Sequence, residues 1–383
     1  MLNKKKIIPY GHQWIDKKDI KEVVKVLRGD WITQGPNVER FERAVAKYCR
    51  VKYAVAVSSG TAALHAAYTA AGIKTGDEVI TTPLTFAATA NCIVFCGGKP
   101  VFVDIQKDTL NIDPKKIEAK ITKKTKAIAV VDFAGHPCDY DETKKIAKKH
   151  KLLIIEDAAH SLGSEYKEKR IGSLADMTIL SFHPVKIITT GEGGMVLTNN
   201  KDFYEKLKVF RHHGIIKKPE KGGWYYEIKN PGHNFRITDF QCALGLSQLK
   251  KIDKFIKKRR EIVTKYNKAF KDINEIITPI EKDYVKSAWH IYVIQLCLEK
   301  LKTGRGEIFQ RLHKEGIGAQ VHYMPLNLQP FFQKKLDYKK GDFPVAENYY
   351  QRAITLPLFP KMTESQINRT INIVKKTVNN YKK

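Results

Sequence analysis

Ser181-Phe-His-Pro-Val-Lys-Ile-Ile-Thr-Thr-Gly-Glu-Gly-Gly194 joins a short β-rich run, Met177–Phe182, to another, Met195–Thr198. Its central residue is Lys186, on a loop rich in Thr and Gly. Asp157 lies twenty-nine residues earlier, closing the apolar run that opens Ile154-Ile-Glu-Asp-Ala-Ala-His160. A lone lysine in a lysine-rich chain is ordinarily a solvated surface group. An acid at the end of a strand, followed by a lysine on the loop after a neighbouring strand, is the polar pair that pyridoxal phosphate (PLP) requires. The amine forms a Schiff base with the aldehyde. The carboxylate holds the pyridine nitrogen protonated, so that the ring can accept electrons.

Outward from this loop, the first 200 residues alternate strand and helix signals. Short apolar runs occur at Tyr53–Val57, Glu78–Thr81, Val101–Ile105, Ala127–Val131 and Leu152–Ile155. Helical patterns lie between several of them, at Thr61–Ala71, Phe86–Val94 and Asp141–Lys149. Strands this short and apolar are covered on both faces, and the alternation predicts an α/β fold with a mostly parallel central sheet flanked by helices. Two amphipathic helices precede it. Asp16 caps the first, which runs through Leu27 and stops at Gly29. The second carries Phe41, Val45 and Tyr48 on one face. After Leu249 a lysine-rich helix to about Phe270 leads into a smaller C-terminal α/β domain. That domain has a strand near Ile291–Leu296, a helix near Gly306–Glu315 and a last helix from Glu364 to Tyr381. The expected division is a large domain over residues 1–250 and a smaller one over 251–383.

Ser58-Ser-Gly-Thr-Ala-Ala-Leu64 follows a strand and opens a helix. Free N–H groups at a helix N-terminus bind anions, and a glycine permits close approach. Gly60, Thr61 and Ala62 are therefore candidates to cradle the cofactor phosphate; the plainer reading is that Ser59 or Thr61 caps the helix. Phe86, at the mouth of the next helix, stacks on the cofactor ring or packs in the core. His160 lies near the cofactor's 3-hydroxyl, against its ring, or serves as a structural hydrogen-bonder. The Ser181 hydroxyl is a candidate donor to the phosphate. His183 faces either substrate or protein. The Gly191–Gly194 turn lacks the spacing of a nucleotide P-loop.

The net charge of +28 comes from 68 Lys+Arg against 40 Asp+Glu. The excess is spread along the whole length in pairs such as Lys123-Lys124 and Lys257-Lys258, not gathered in an arm or stripe. It is expected to form a solvated surface whose field attracts anionic substrates, and no nucleic-acid-binding motif accompanies it. No stretch is long and apolar enough to suggest a membrane span. No long apolar region follows the N-terminal lysines, so no secretory signal is expected. Six scattered cysteines without a CxxC pair suit a reduced, cytoplasmic protein and no structural zinc.

In this order the motifs resemble the sugar aminotransferases of the DegT/DnrJ/StrS family, fold type I PLP enzymes. The resemblance covers Trp31–Pro36, Ser59–Leu64, Thr85-Phe86, Glu156–His160, Ser181–Lys186 and Gly191–Gly194. It continues through Arg211–Gly214, Gly232–Arg236 with Asp239, and Val321–Pro325. Within the family, Ile8–Trp14 and Phe182–Thr190 look most like the pseudaminic acid-type enzymes, which aminate C4 of a UDP-linked 4-keto-6-deoxy-N-acetylhexosamine with glutamate as donor. The resemblance implies a homodimer with active sites at the interface, Asn234 reaching the partner's PLP phosphate, and Thr33, His183, Arg236, His322 and Tyr323 near the sugar nucleotide. Many relatives carry glutamine where this chain has His160. The family's dehydratases replace the lysine, so Lys186 argues for transamination. An aminotransferase for another dTDP- or GDP-linked keto-sugar, and a non-catalytic binder of PLP or a sugar nucleotide, remain the alternatives.

Overall fold

The structure is a computed structural model describing residues 7–383; the lysine-rich N-terminus read above for a leader falls largely outside that range. The two leading helices are α1, Lys17–Leu27, and α2, Pro36–Cys49. Asp16 caps α1 by accepting from the Lys18 and Asp19 N–H groups, and Asp19 reciprocates at the Asp16 N–H, a capping box.

A seven-stranded sheet follows: β1 Tyr53–Val57, β2 Glu78–Thr81, β3 Lys99–Phe102, β4 Thr125–Val131, β5 Leu153–Asp157, β6 Met177–Ser181 and β7 Gly194–Thr198. Its order is β1-β7-β6-β5-β4-β2-β3, and only β7 runs against the rest. The expected third strand, Val101–Ile105, is shifted: β3 starts two residues earlier and stops at Phe102. As the edge strand it tolerates Pro100. Beyond it Asp104 turns the chain by accepting from the Val345 and Ala346 N–H groups.

Side chains alternate across the strands. Val55, Ala129, Ile155 and Ile179 pack beneath α3, Gly60–Ala70, and α4, Ala87–Phe95. Ala56, Val130, Ile154 and Leu180 pack on the other face with α2 and Tyr140 of α5, Tyr140–His150. Helices thus cover both faces. After α6, Asp239–Leu249, comes α7, Ile252–Phe270, which carries the fully buried Arg259. Its Nη1 donates to the Trp289, His290 and Leu358 carbonyls. A second core forms around the antiparallel strands Ile276–Ile277, Tyr292–Leu296 and Ala353–Leu356, with helices Arg305–Lys314 and Glu364–Asn380. Ile8 packs there too, pairing in parallel with Ile317. The first described residues therefore belong to the same core as the last helix.

Candidate active site

The candidate residues gather where β1, β5 and β6 end, the edge at which open parallel sheets bind ligands. Gly194 opens β7 in register with Val57 and Ser181, drawing β1 and β6 to its two sides. The approach is close. A Cβ on Gly194 would lie 2.3 Å from the Ser59 carbonyl oxygen, and one on Gly60 would lie 2.9 Å from Ser181 Cβ. Ser59 caps α3 by accepting from the Ala62 N–H at 3.0 Å. Ala62 is buried with its donor engaged, which leaves Gly60 and Thr61 to open the helix beside the Ser181 hydroxyl.

Lys186 stands on a loop closed at its base. Phe182 N–H donates to Gly193 O, and Thr190 N–H and the Thr189 hydroxyl donate to Phe182 O. Buried Phe182 packs on Phe41 of α2. Gly191 turns the return with φ +86°. Within the loop Lys186 N–H donates to His183 O at 2.9 Å, and Gly11 of the N-terminal segment lies against Val185. His183 itself is exposed.

Asp157 ends β5 with its side chain on the α3–α4 face and only 7 % of its surface exposed. Its Oδ2 accepts from the Thr89 hydroxyl at 2.6 Å, and its Oδ1 accepts from the Ala159 N–H at 3.2 Å. Thr89 meets Thr85, which lies just before the α4 N-cap, at 2.7 Å. Burial raises the Asp157 pKa against the opposing pull of Thr89, Ala159 and Lys186. Burial lowers Lys186 to about 8, with the Asp157 charge opposing. In both groups desolvation outweighs the mutual attraction.

His160 is buried. Its Nδ1 accepts from the Ala134 N–H at 3.3 Å, so in the neutral ring the proton sits on Nε2, 3.2 Å from the Tyr323 hydroxyl. His290 lies against its ring, centroids 4.3 Å apart. Burial, then Lys186, hold His160 well below the ordinary histidine value and His322 at about 4. This end of the pocket is therefore a set of neutral imidazoles around an amine. Phe86 is 60 % exposed, which excludes the core reading; its ring faces Tyr323 at 6.0 Å. His322 accepts at its carbonyl from the Tyr349 hydroxyl, and its ring meets the Thr355 hydroxyl at 2.8 Å.

Thr33, Asn234 and Arg236 form a separate group. Thr33 bridges to Thr238, Asn234 bridges to His212, and Arg236 Nη1 lies 2.9 Å from His212 Nδ1. Arg236 lines a cleft of about 600 Å³ with Arg211, Lys208 and Glu42. The Phe235 carbonyl, between Asn234 and Arg236, accepts from Ser58 N–H at 2.8 Å, so this group borders the Gly60 turn from outside. Asn234 is exposed.

Thr89 and His290 were not singled out from the sequence. The four-residue Thr85…Thr89 spacing across the helix start was the available signal for the first. His290 is an isolated histidine 130 positions from His160, with no local pattern to mark it.

Residues 13–375 match the DegT/DnrJ/EryC1/StrS aminotransferase family. A UDP-4-amino-4,6-dideoxy-N-acetyl-beta-L-altrosamine transaminase of Campylobacter jejuni is 45 % identical over 361 residues, 93 % of each chain. The structure of Helicobacter pylori PseC, an aminotransferase of pseudaminic acid biosynthesis, superposes with a TM-score of 0.93 at 37 % identity, covering 98 % of this chain and all of that one. The PLP-form of Spr1654 from Streptococcus pneumoniae superposes with a TM-score of 0.91 at 33 % identity, covering 98 % of this chain and 99 % of that one. Strand-end acid, loop lysine and glycine turn thus sit in a matching fold over nearly the whole length, and the chain is an aminotransferase of the DegT/DnrJ/EryC1/StrS family.

Proposed function

We propose that this aminotransferase uses PLP to move an amino group from glutamate to C4 of a UDP-linked 4-keto-6-deoxy-N-acetylhexosamine, in a homodimer with shared sites. The observation that carries the chemistry is the buried Asp157 carboxyl group, held by Thr89 at the end of β5, with Lys186 on the loop after the neighbouring β6. The sugar rests on the relatives: one is named for a UDP-linked amino-altrosamine, another for pseudaminic acid biosynthesis.

The residues fit the cofactor. A buried carboxylate pushed up by desolvation calls for a cationic N–H partner, which a pyridinium supplies. The α3 N-terminus opening at Gly60, packed close beside the Ser181 hydroxyl, offers the N–H and O–H donors that suit a phosphate. When bound, PLP supplies a carbonyl that captures amines and a protonated ring that withdraws electrons from the adjoining carbon.

The protein's own groups do the rest. Gly60, Thr61 and Ser181 hold the phosphate end. Asp157, oriented by Thr89, keeps the ring nitrogen protonated. His160 and Phe86 bound the ring. Lys186 Nζ, at about 8, is readily neutral, so it can take a proton from the carbon bearing the transferred nitrogen and return it. Thr33, His183, Arg236, His322 and Tyr323 are the residues proposed to meet the sugar nucleotide, and Asn234 the one that reaches the partner's phosphate. The strongly basic chain suits a diphosphate.

A panel of UDP- and dTDP-4-keto sugars with glutamate, read by mass spectrometry, tests the substrate. Faster amination of the UDP-N-acetylhexosamine is expected; equal or faster amination of dTDP-4-keto-6-deoxyglucose overturns that sugar. For the shared site, Lys186→Ala and Asn234→Ala subunits, each inactive alone, should regain activity when mixed, since one site of each heterodimer carries both residues. No recovery after proven exchange would keep Asn234 within its own chain's workings.

A further inference from the structure

Behind the pocket, on the opposite face of the sheet, two more carboxyl groups are buried. Glu156 precedes Asp157 on β5 and turns the other way, into the core with Ile154. Asp132 follows β4 next door. Both are fully enclosed. Burial, then Asp132, push the Glu156 pKa well above the carboxylate range, and no cation ranks among the main influences on either acid.

Counting hydrogens shows what this arrangement requires. The Tyr140 hydroxyl oxygen lies 2.6 Å from Glu156 Oε1 and 3.0 Å from Asp132 Oδ1. Each of the two carboxyl groups also bears on the other's protonation. A phenol carries one hydrogen. If both acids were ionised, at least one of these close contacts would hold no proton, between like charges without a counter-ion. One further proton removes the conflict. Asp132 has committed donors: the Cys138 N–H at 2.9 Å and the Ser161 hydroxyl at 2.7 Å. Glu156 meets only hydroxyls, Tyr140 and, at 2.5 Å, Thr178, and either can accept as well as donate. The proton therefore belongs on Glu156.

We propose that Glu156 is an un-ionised carboxylic acid hydrogen-bonded to the Tyr140–Asp132 pair, and that this link positions the 157–161 segment of the active site. Asp132, left ionised, grips that segment twice. It takes the Ser161 hydroxyl, and its own N–H donates to the Asp157 carbonyl at 3.2 Å. Ser161 N–H closes onto Ala158 O at 3.0 Å. Asp157 and His160 are thus fixed from behind, and Asp157 is spared an ionised neighbour on its own strand. Glu156 is a positioning residue in this scheme. The titratable groups that face it are Asp132, Tyr140, Cys138 on the turn before α5, and Cys49 of α2, whose thiol burial and then Glu156 push up to about 12 while Arg170 opposes.

The inference does not depend on the proposed sugar, and its first test needs no cofactor. The infrared spectrum of the protein at neutral pH should show the carbonyl band of an un-ionised carboxylic acid, lost in Glu156→Gln. A missing band in the wild type, or one unchanged by the substitution, overturns the proposal. An acid that holds its proton only when folded makes stability fall as pH rises above its unfolded value. Glu156→Gln keeps a donor and an acceptor without that proton. Its melting temperature should therefore gain on the wild type steadily from acidic to alkaline pH; a deficit growing with pH would mean an ionised Glu156. For positioning, Glu156→Gln should keep the wild-type dissociation constant for PLP, while Glu156→Ala raises it. Equal constants in all three proteins would reduce Glu156 to packing. If Glu156→Ala fails to fold, Tyr140→Phe makes the same comparison, with a raised constant expected and an unchanged one overturning the role.

Discussion

Asp157 and Glu156 are adjacent acids on one strand, both buried, yet they face different chemistry. Asp157, at the end of its strand, is met by a single hydroxyl and one N–H, and the Lys186 amine is the charge that bears on it. Glu156 looks into a closed core of hydroxyls and a second acid. Burial raises both pKa values, but only the pocket side can receive a cationic partner from outside. The difference shows that desolvation alone does not define a catalytic acid: what matters is whether its missing partner can arrive from solvent or must be supplied by the fold.

The sharpest way to break this contrast is at the amine. Lys186→Ala should lower the transamination rate by about 10⁴-fold, since it removes the proposed proton carrier along with the proposed attachment point. Single-turnover kinetics with glutamate would measure it, and a loss of a few-fold would mean that another lysine does the work. Next comes the pocket acid. Asp157→Asn should still bind PLP but lose about two to three orders of magnitude in turnover, the scale of breaking one partner of a buried charge pair. Near-normal turnover would put Asp157 on the same structural footing as Glu156.

A smaller effect concerns pH. With its folded value near 8, Lys186 is mostly protonated below that pH and cannot attack a carbonyl. The rate at which PLP attaches to the cofactor-free protein should therefore fall about tenfold per pH unit below 8 and level off above it. Stopped-flow absorbance would follow it, and a midpoint at the ordinary lysine value would mean that the amine is not desolvated. The smallest effect is expected at His160. It stays neutral, so His160→Gln preserves charge and should change the preference between keto-sugars by less than about tenfold. A larger change, measured as a ratio of kcat/KM values, would give His160 direct contact with the sugar.

Much of this was legible in the chain. The strand–helix alternation, the Asp16 cap and the 29-residue separation of Asp157 from Lys186 all depend on local patterning, and all but one of the sheet strands formed close to where their patterns lay. β3 was misplaced by two residues because Lys99 and Pro100 are poor strand formers, and only pairing with β2 recruits them. The meeting of Asn234 and Arg236 with His212, and of Thr33 with Thr238, had no periodic signal, because contacts between distant loops create them.

By itself the sequence determined the α/β class, the strand-to-helix turn at Gly60, the strand-end position of Asp157, the loop position of Lys186, and the family. Those features are short-range: strand period, helix capping and glycine geometry act over a few residues. Only the tertiary structure decided how deep each charge lies and what it meets. That Ala62's N–H is already taken by Ser59, that Phe86 is exposed, that Thr89 holds Asp157, and that Glu156 shares a hydroxyl with Asp132 are all outcomes of packing. Desolvation and hydrogen-bond supply depend on which distant segments close over a group, and a linear chain does not contain that information locally.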